Sequence, residues 1–335
     1  MVTLKDIAKE CNVSFSTVSK ALKNSPEISL EKTKFIQDKA AQMGYHPNIA
    51  ARTLRTNRTY DIGVIFEDKT GSGFQHQYFA TVISGIQKVA QEKGYEMSFM
   101  GGIQNRGFDY YTHAQARNYD GIAILSCDFT SEEIVKLVQS EIPTVTLDYY
   151  YDQDHTAIMS DYEKGMDELL EYAIEQGHTR IAMIHGEDTL VTRQRIKSFE
   201  TVCAKHGIKI PKEYIAEGLY HDPYTSAEAT NFLLSLENPP TCIFYPDDFA
   251  ALGGIRELSA RGLTPGKDIS IAGYDGIMLT SMMIPPLSTY EQAGETIGMT
   301  IAEQLIGKIE NAEYYIPTKK MITGRILKGG TIAKI

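Results

Sequence analysis

Two groups of residues in this sequence could do chemistry. The first is Phe15, Ser16 and Lys20, which lie off the apolar side of a short helix that Ser14 can cap. A lysine there can donate to guanine O6 and N7, a serine can donate or accept, and a phenylalanine can touch a thymine methyl. The set therefore fits base edges in a major groove. The second group is spread along residues 60–335. Asp148, Asp247 and Asp275 stand at the ends of predicted strands, Arg193 and Arg195 lie at the start of a helix, Tyr78 and Phe79 open another, and Glu67 lies at the pocket end of the first strand. Carboxylates accept from adjacent sugar hydroxyls, an arginine donates in a fork, and aromatic faces cover the ring. Taken singly, each of these residues is better explained as a helix cap, a surface charge or a core aromatic. The binding reading rests on their convergence.

Catalytic signatures are missing. The sequence has no G-x-G-x-x-G after its first strand, no G-x-x-x-x-G-K-[ST], no G-x-S-x-G and no H-E-x-x-H. Its eight histidines show no metal-ligand spacing. Asp247 and Asp248 are adjacent rather than a spaced acid pair. Cys11, Cys127, Cys203 and Cys242 are far apart and form no C-x-x-C pair, which disfavours a zinc site or a disulfide framework and fits a reduced cytosol. No enzyme activity, cofactor or metal is expected. The start of the chain has no apolar signal region and no run approaches the length of a membrane span, so a cytoplasmic protein is expected, with no membrane partner.

The elements that must position these residues divide unevenly. At 335 residues the chain is long enough for two or three domains, and 42% hydrophobic with 23% charged residues is ordinary for a globular protein. The net charge of −10 is not evenly placed. The first 60 residues hold ten Lys or Arg against five Asp or Glu, a net of +5, which leaves −15 on the rest. Only the basic head is suited to approach a polyanion.

Residues 1–46 read as three helices. Thr3 and Asp6 form a capping pair ahead of Leu4, Ile7, Ala8 and Cys11; Ser14 caps a second helix with Val18, Ala21 and Leu22 inward. Asn24-Ser25-Pro26 ends it. Ser29 caps a third, with Phe35, Ile36, Ala40 and Met43 inward, and Gly44 stops it. Two short helices across a tight turn with a supporting third is the helix-turn-helix plan. A three-helix protein-binding module would share these helices; the basic balance and the exposed Ser and Lys face favour nucleic acid.

Residues 47–59 follow as a hinge and linker. Asn48 can cap about two turns from Ile49 to Arg55, with Arg52 and Arg55 on one face. So short a helix is marginal alone, and its folding depends on what it touches. From residue 60 onward strands alternate with helices, first over 61–147 and again from a strand near 157–159. That pattern predicts two α/β lobes with parallel sheets and a cleft at their strand ends.

Val2-Thr3-Leu4-Lys5-Asp6-Ile7-Ala8, Val13-Ser14-Phe15-Ser16-Thr17-Val18-Ser19-Lys20-Ala21-Leu22 and Gly44-Tyr45-His46-Pro47-Asn48-Ile49-Ala50-Ala51-Arg52-Thr53-Leu54 carry a resemblance. They resemble the lactose/galactose-repressor family of bacterial transcriptional regulators, and the similarity continues through the whole chain. It implies an N-terminal all-α helix-turn-helix head on a two-lobed α/β periplasmic-binding-protein-like body at 60–335. The chain should cross between the lobes near 149–160 and 276–292. It also implies a repressor that binds a pseudo-palindromic double-stranded operator as a homodimer, with Leu54 wedged into the minor groove. The final seven residues contain no heptad run, so a dimer is expected rather than a tail-mediated tetramer. The candidate DNA contacts are Thr3, Ser14, Phe15, Ser16, Thr17, Ser19, Lys20, Asn24, His46, Asn48, Ala51, Arg52, Leu54 and Arg55. Tyr78, Phe79, Asp148, Arg195, Asp247 and Asp275 match the family's effector contacts position by position, and Glu67 and Arg193 complete the candidate pocket.

Three positions depart from the family's pattern. Asp247 stands where a neutral polar residue is frequent, Gly276 where a second Asp is common, and Ala293 where Pro often follows Tyr290-Glu291-Gln292. Up to four acids with one or two arginines fit a neutral saccharide and disfavour a doubly phosphorylated ligand. A purine stacked on Tyr78 and Phe79, or control by a phosphorylated carrier protein, are alternatives. A sugar-modifying enzyme or a nucleoid-type structural binder with the same head is a further one.

Overall fold

The computed structural model describes residues 2–22, 24–45, 58–67, 70–100 and 109–335. The chain forms two compact units, Met1–Thr59 and Tyr60–Ile335. His46, Asn48, Ala51, Arg52, Leu54 and Arg55, and with them the expected hinge helix, lie outside the described residues.

The first unit holds α1 (Leu4–Glu10), α2 (Phe15–Ala21) and α3 (Leu30–Gln42). Each begins at a side chain that accepts one of the N–H groups a helix start leaves unpaired: Thr3, Ser14 and Ser29. Thr3 and Asp6 satisfy each other reciprocally, with the Thr3 N–H donating to Asp6 at 2.8 Å. These bonds hold the Asp6 carboxyl below its usual range. Ile7, Val18, Ala21 and Ile36 are fully buried in a small core with Ala8, Cys11 and Ala40. Phe35 does not join it. It is 55% exposed, and Thr33 takes the inward place, because the buried stripe of α3 runs through Thr33, Ile36 and Ala40. Gly44 follows α3 at φ +67, a backbone angle that costs glycine no Cβ clash.

The second unit contains two parallel sheets. The first has the order β11-β5-β4-β3-β1-β2, built from β1 (Asp61–Phe66), β2 (Glu96–Phe99), β3 (Gly121–Ser126), β4 (Thr144–Leu147), β5 (Thr156–Ser160) and β11 (Lys319–Ile322). The second has the order β7-β6-β8-β9, built from β6 (Ile181–His185), β7 (Ile215–Glu217), β8 (Cys242–Phe244) and β9 (Ser270–Ala272). β10 (Thr289–Glu291) and β12 (Arg325–Leu327) pair antiparallel as a separate ribbon. Strands covered on both faces read as continuous apolar runs, and Ile62, Val64, Ile65, Ile122, Ala123 and Ile124 are all fully buried.

Helices Gln77–Lys93 and Gly294–Glu310 cover the first sheet through Val82, Ile86, Ile297, Ile301 and Leu305. Helices Tyr162–Glu175 and Leu190–Lys205 cover the second through Leu169, Leu170 and Phe199.

The lobe boundaries differ from the sequence reading. β5, expected to open the second lobe, pairs with β4 in the first sheet, and the chain crosses only after it, at Asp161. It returns between β10 and helix Gly294–Glu310, where Asp275 bridges Glu291, and crosses a third time between β11 and β12. β7, β10, β11 and β12 have no counterpart in the sequence reading. They are three or four residues long, too short to show a period, and only their non-local pairing defines them.

Candidate functional site

In the head, α2 carries the base-reading candidates. Phe15 is 51% exposed, Ser14 and Ser16 are exposed, and Thr17, Ser19 and Lys20 are half-buried. Several of them also hold the head together. The Ser14 hydroxyl accepts the Thr17 N–H at 3.1 Å and lies 2.9 Å from the Ser16 hydroxyl. Thr3 is committed to its capping box. Asn24 sits at φ +55, and its side-chain oxygen accepts from Gln37 of α3 at 2.8 Å, so it closes the turn after α2. Lys20 pairs with Glu27.

In the body, the strand ends of the two sheets and the crossovers converge on a buried polar cluster. Its centre is Arg195, 4% exposed in the second turn of its helix. One guanidinium N–H donates to the Pro246 carbonyl at 2.8 Å, and the planar group lies 3.7 Å from the Tyr274 ring centre, with Tyr162 at 5.3 Å and Tyr220 at 5.8 Å. Among the described residues Arg195 Nε has no hydrogen-bond partner. A buried charged donor left open is costly, and a ligand acceptor is the natural remedy.

Asp148 leaves β4 at φ +59 and accepts the Ser160 N–H at 2.6 Å. Burial pushes its carboxyl up to about 6, against the pull of neighbouring hydrogen-bond donors and Arg195. The Ser160 hydroxyl is 3.3 Å from that of buried Tyr78, which ties the first helix of the body to the same spot. Asp275 follows β9, beside the crossover, at φ +112 and accepts from Gln292 at 2.6 Å. Burial, then the nearby Asp247 charge, holds its carboxyl well above the ordinary range. Asp247 is buried and caps helix Asp248–Ala260: one oxygen accepts the Ala250 N–H at 2.7 Å, the other the His221 N–H at 2.6 Å.

A cavity of about 140 Å³ opens beside this cluster, lined by Tyr78 and Asp275 together with His76, His221 and Phe249. His221 is sandwiched between His76 of the first lobe at 4.4 Å and Phe249 of the second at 4.1 Å, both nearly parallel to it. This stack closes the cleft across the two lobes. Phe79 is half-buried against Phe66, 4.5 Å between ring centres, and against His76 at 4.8 Å.

Two candidates fall elsewhere. Arg193 is exposed and pairs with Asp188 at 2.8 Å, because the helix turns it away from the side that buries Arg195. Glu67 accepts the Tyr110 hydroxyl beside Ser126 and Cys127, in a separate polar group of the first lobe. The cluster also contains Ser160, Tyr162, Tyr220, Tyr274, Gln292 and the His76–His221–Phe249 stack, which sequence reasoning passed over. A faint signal existed for two of them. Gly165 lies inside a helix, and a Cβ there would stand 2.2 Å from the Tyr274 hydroxyl; one on Gly186 would stand 2.3 Å from the Tyr220 ring.

Among the described residues no group of His, Cys, Asp and Glu could hold a metal ion, and no helix is long and apolar enough to cross a membrane. All four cysteines are free thiols.

Residues 3–48 match the model of bacterial regulatory proteins, lacI family, and residues 170–332 match that of a periplasmic binding protein-like domain. The chain is 35% identical over 316 residues to the "Probable HTH-type transcriptional repressor ExuR" of Bacillus subtilis (strain 168), covering 93% of each. The chain belongs to the lacI family of bacterial regulatory proteins. It shares its fold with the lac repressor dimer bound to operator and the anti-inducer ONPF, at 22% identity, 99% coverage of both chains and a TM-score of 0.80. It shares it also with the CelR regulator in complex with cellobiose, at 20% identity, coverage of 99% and 100%, and a TM-score of 0.74. The lacI-family match covers the three-helix head, and the periplasmic binding protein-like match lies within the two-lobed body.

Proposed function

We infer that this chain is a homodimeric transcriptional repressor whose operator affinity is set by a saccharide bound in the cleft of the body, and that it is not an enzyme. One observation carries the effector half of this reading. Arg195 is buried with an open donor, near enough to Asp148 and Asp275 to pull on both carboxyls, and against three tyrosine faces. Carboxylates accepting and a guanidinium donating is the complement of vicinal hydroxyls, and aromatic faces suit the apolar side of a pyranose. The acids are less available than their number suggests. Asp247 is held by two backbone N–H groups and Glu67 by Tyr110, which leaves Asp275 and Asp148 as the principal acceptors.

Each head would read one half-site, so two-fold symmetry calls for a pseudo-palindromic operator. The segment 47–59, with Leu54 as its minor-groove wedge, would link the two modules at the operator centre. The reading places the protein in the cytoplasm, with its DNA. Closing or opening the cleft moves the lobes against each other, and a coupling of about 1–3 kcal/mol to the heads is the usual allosteric size.

The test is a thermal-shift screen of saccharides and purines on the full chain. A ligand held only by the folded body stabilises it by about 2.7 kcal/mol at a hundredfold excess over its Kd, a shift of several degrees. A saccharide that shifts the transition, and is recovered unchanged after incubation, fits a sensor. A saccharide consumed by the purified protein would make it an enzyme, and a purine that shifts it alone would reassign the effector.

A further inference from the structure

The DNA-reading helix carries a contact that its own sequence does not explain. Lys20, one turn beyond Ser16 on the same side of α2, forms an ion pair with Glu27. Glu27 lies in the turn between α2 and α3, and the side chains of the pair are 45% and 63% exposed. The pair is therefore at the surface, open to a ligand from outside.

The turn that presents Glu27 is built rather than loose. Asn24 adopts φ +55, its N–H donates to the Ala21 carbonyl at 3.1 Å, and its side chain is held by Gln37 of α3 at 2.8 Å. Gln37 also donates to the Ala21 carbonyl at 3.2 Å, which locks the end of α2 to α3. The Ser25 N–H donates to the Lys20 carbonyl at 3.0 Å, and the Ile28 N–H to the Ser25 carbonyl at 3.1 Å. Pro26 fixes the backbone just ahead of Glu27. Stability does not account for the pair, since an exposed lysine–carboxylate contact contributes little. A carboxylate on the DNA-facing side of a basic head also works against polyanion binding in general.

We propose that Glu27 is a specificity-determining residue of the operator interface, reading one G·C pair jointly with Lys20. This rests on the DNA-binding reading above. Across the major groove, G·C presents guanine N7 and O6 as acceptors, then the cytosine N4 amino group as a donor. An ammonium with a carboxylate held beside it is the complement: donors against N7 and O6, an acceptor against N4. C·G and A·T put an amino group against the ammonium and an acceptor against the carboxylate, and T·A puts the thymine methyl where guanine N7 would lie. On non-cognate DNA the carboxylate meets phosphates and bases it cannot satisfy, so it weakens sequence-independent binding. Lys20 alone would bind guanine and phosphate alike; Glu27 turns that affinity into selectivity.

The experiment uses the full chain and selection from a pool of random-sequence duplexes. Wild-type protein first selects its site, and if it selects none, the DNA-binding reading itself fails. Single-base-pair variants of the selected half-site are then titrated at fixed salt with wild type, E27Q, K20M and the double variant. E27Q is nearly isosteric at an exposed position, and a thermal transition equal to that of wild type, measured first, shows that its head is folded. The expected result has three parts. E27Q loses a G·C preference of roughly five- to a hundredfold at one position of each half-site. It binds random duplex about two- to fivefold tighter. K20M loses preference at the same position, and the double variant loses no more than either single one. An E27Q protein with the wild-type preference at every position overturns the proposal. So does one that loses affinity evenly across all sequences, or whose altered position differs from that of K20M.

Discussion

Replacing Asp248 by asparagine should flatten the pH dependence of the body's stability. The Asp248 carboxylate is fully buried and accepts from the Thr289 hydroxyl at 2.6 Å, the Ile277 N–H at 2.8 Å and the Thr280 hydroxyl at 3.0 Å. Burial outweighs those three bonds and carries the carboxyl from 3.8 to about 7. An unfolded chain releases this proton near pH 4, the folded protein only near 7. Between those values the folded state holds the extra proton, so the stability the group contributes is fully present below about pH 4 and lost as pH rises through about 7.

One pKa unit corresponds to about 1.4 kcal/mol, and going from about pH 5.5 to about pH 8 therefore removes roughly 2 kcal/mol through Asp248. D248N has no proton to lose. Its amide can keep one acceptor and turn its NH2 toward the Thr289 hydroxyl, at a cost of about 1 kcal/mol that does not vary with pH. Urea unfolding followed by far-ultraviolet circular dichroism at several pH values checks this. Asp148 is raised to about 6 and adds a slope of the same sign, but it is present in both proteins and cancels in their difference. The stability of wild type relative to D248N should fall by about 2 kcal/mol across that range, so that the mutant becomes the more stable protein at the alkaline end. Parallel pH profiles would refute the reasoning. Ile277 is held by Asp248 and lines the cavity with Asp275, so D248N should also weaken effector binding.

Three further outcomes are expected. R195M should weaken the effector that stabilises wild type about 10- to 150-fold, the worth of a hydrogen bond to a charged group; an unchanged ligand-induced thermal shift would remove Arg195 from the site. L54A should weaken operator binding while leaving effector affinity intact, and equal operator affinities in a gel-shift titration at fixed salt would rule out the wedge role. G276D would place a side chain where Gly276 lies at φ +71 with its Cβ position 2.5 Å from the Glu291 backbone. It should lower stability by about 1–3 kcal/mol, and a denaturation midpoint equal to that of wild type would contradict this.

What the sequence reveals about this protein is mostly what its neighbours along the chain decide. The caps at Thr3, Ser14 and Ser29 are all legible, because a side-chain oxygen reaching an N–H three residues on is a local event. The assignment of β5 to the second lobe fails because pairing with β4 is a tertiary fact that leaves no mark on residues 156–160. Phe35 illustrates the same limit within a helix: Thr33 and Phe35 compete for the inward face, and hydrophobicity alone picks the wrong one.

At the site, Tyr78, Asp148, Arg195, Asp247 and Asp275 do converge, and Arg193 shows how a spacing of two residues in a helix puts a buried arginine and an exposed one on opposite faces. Asp247 is legible as a cap in hindsight, since it precedes a helix by one residue. The His76–His221–Phe249 stack and the Lys20–Glu27 pair are invisible in sequence because they join residues on different elements.

The most direct test of the account is operator affinity of the full chain with and without the saccharide that stabilises it, by titration against the selected duplex at fixed salt. A regulator built as described should change its half-saturation about 5- to 150-fold when that saccharide is present. A saccharide that stabilises the body yet leaves operator affinity unchanged would contradict the account.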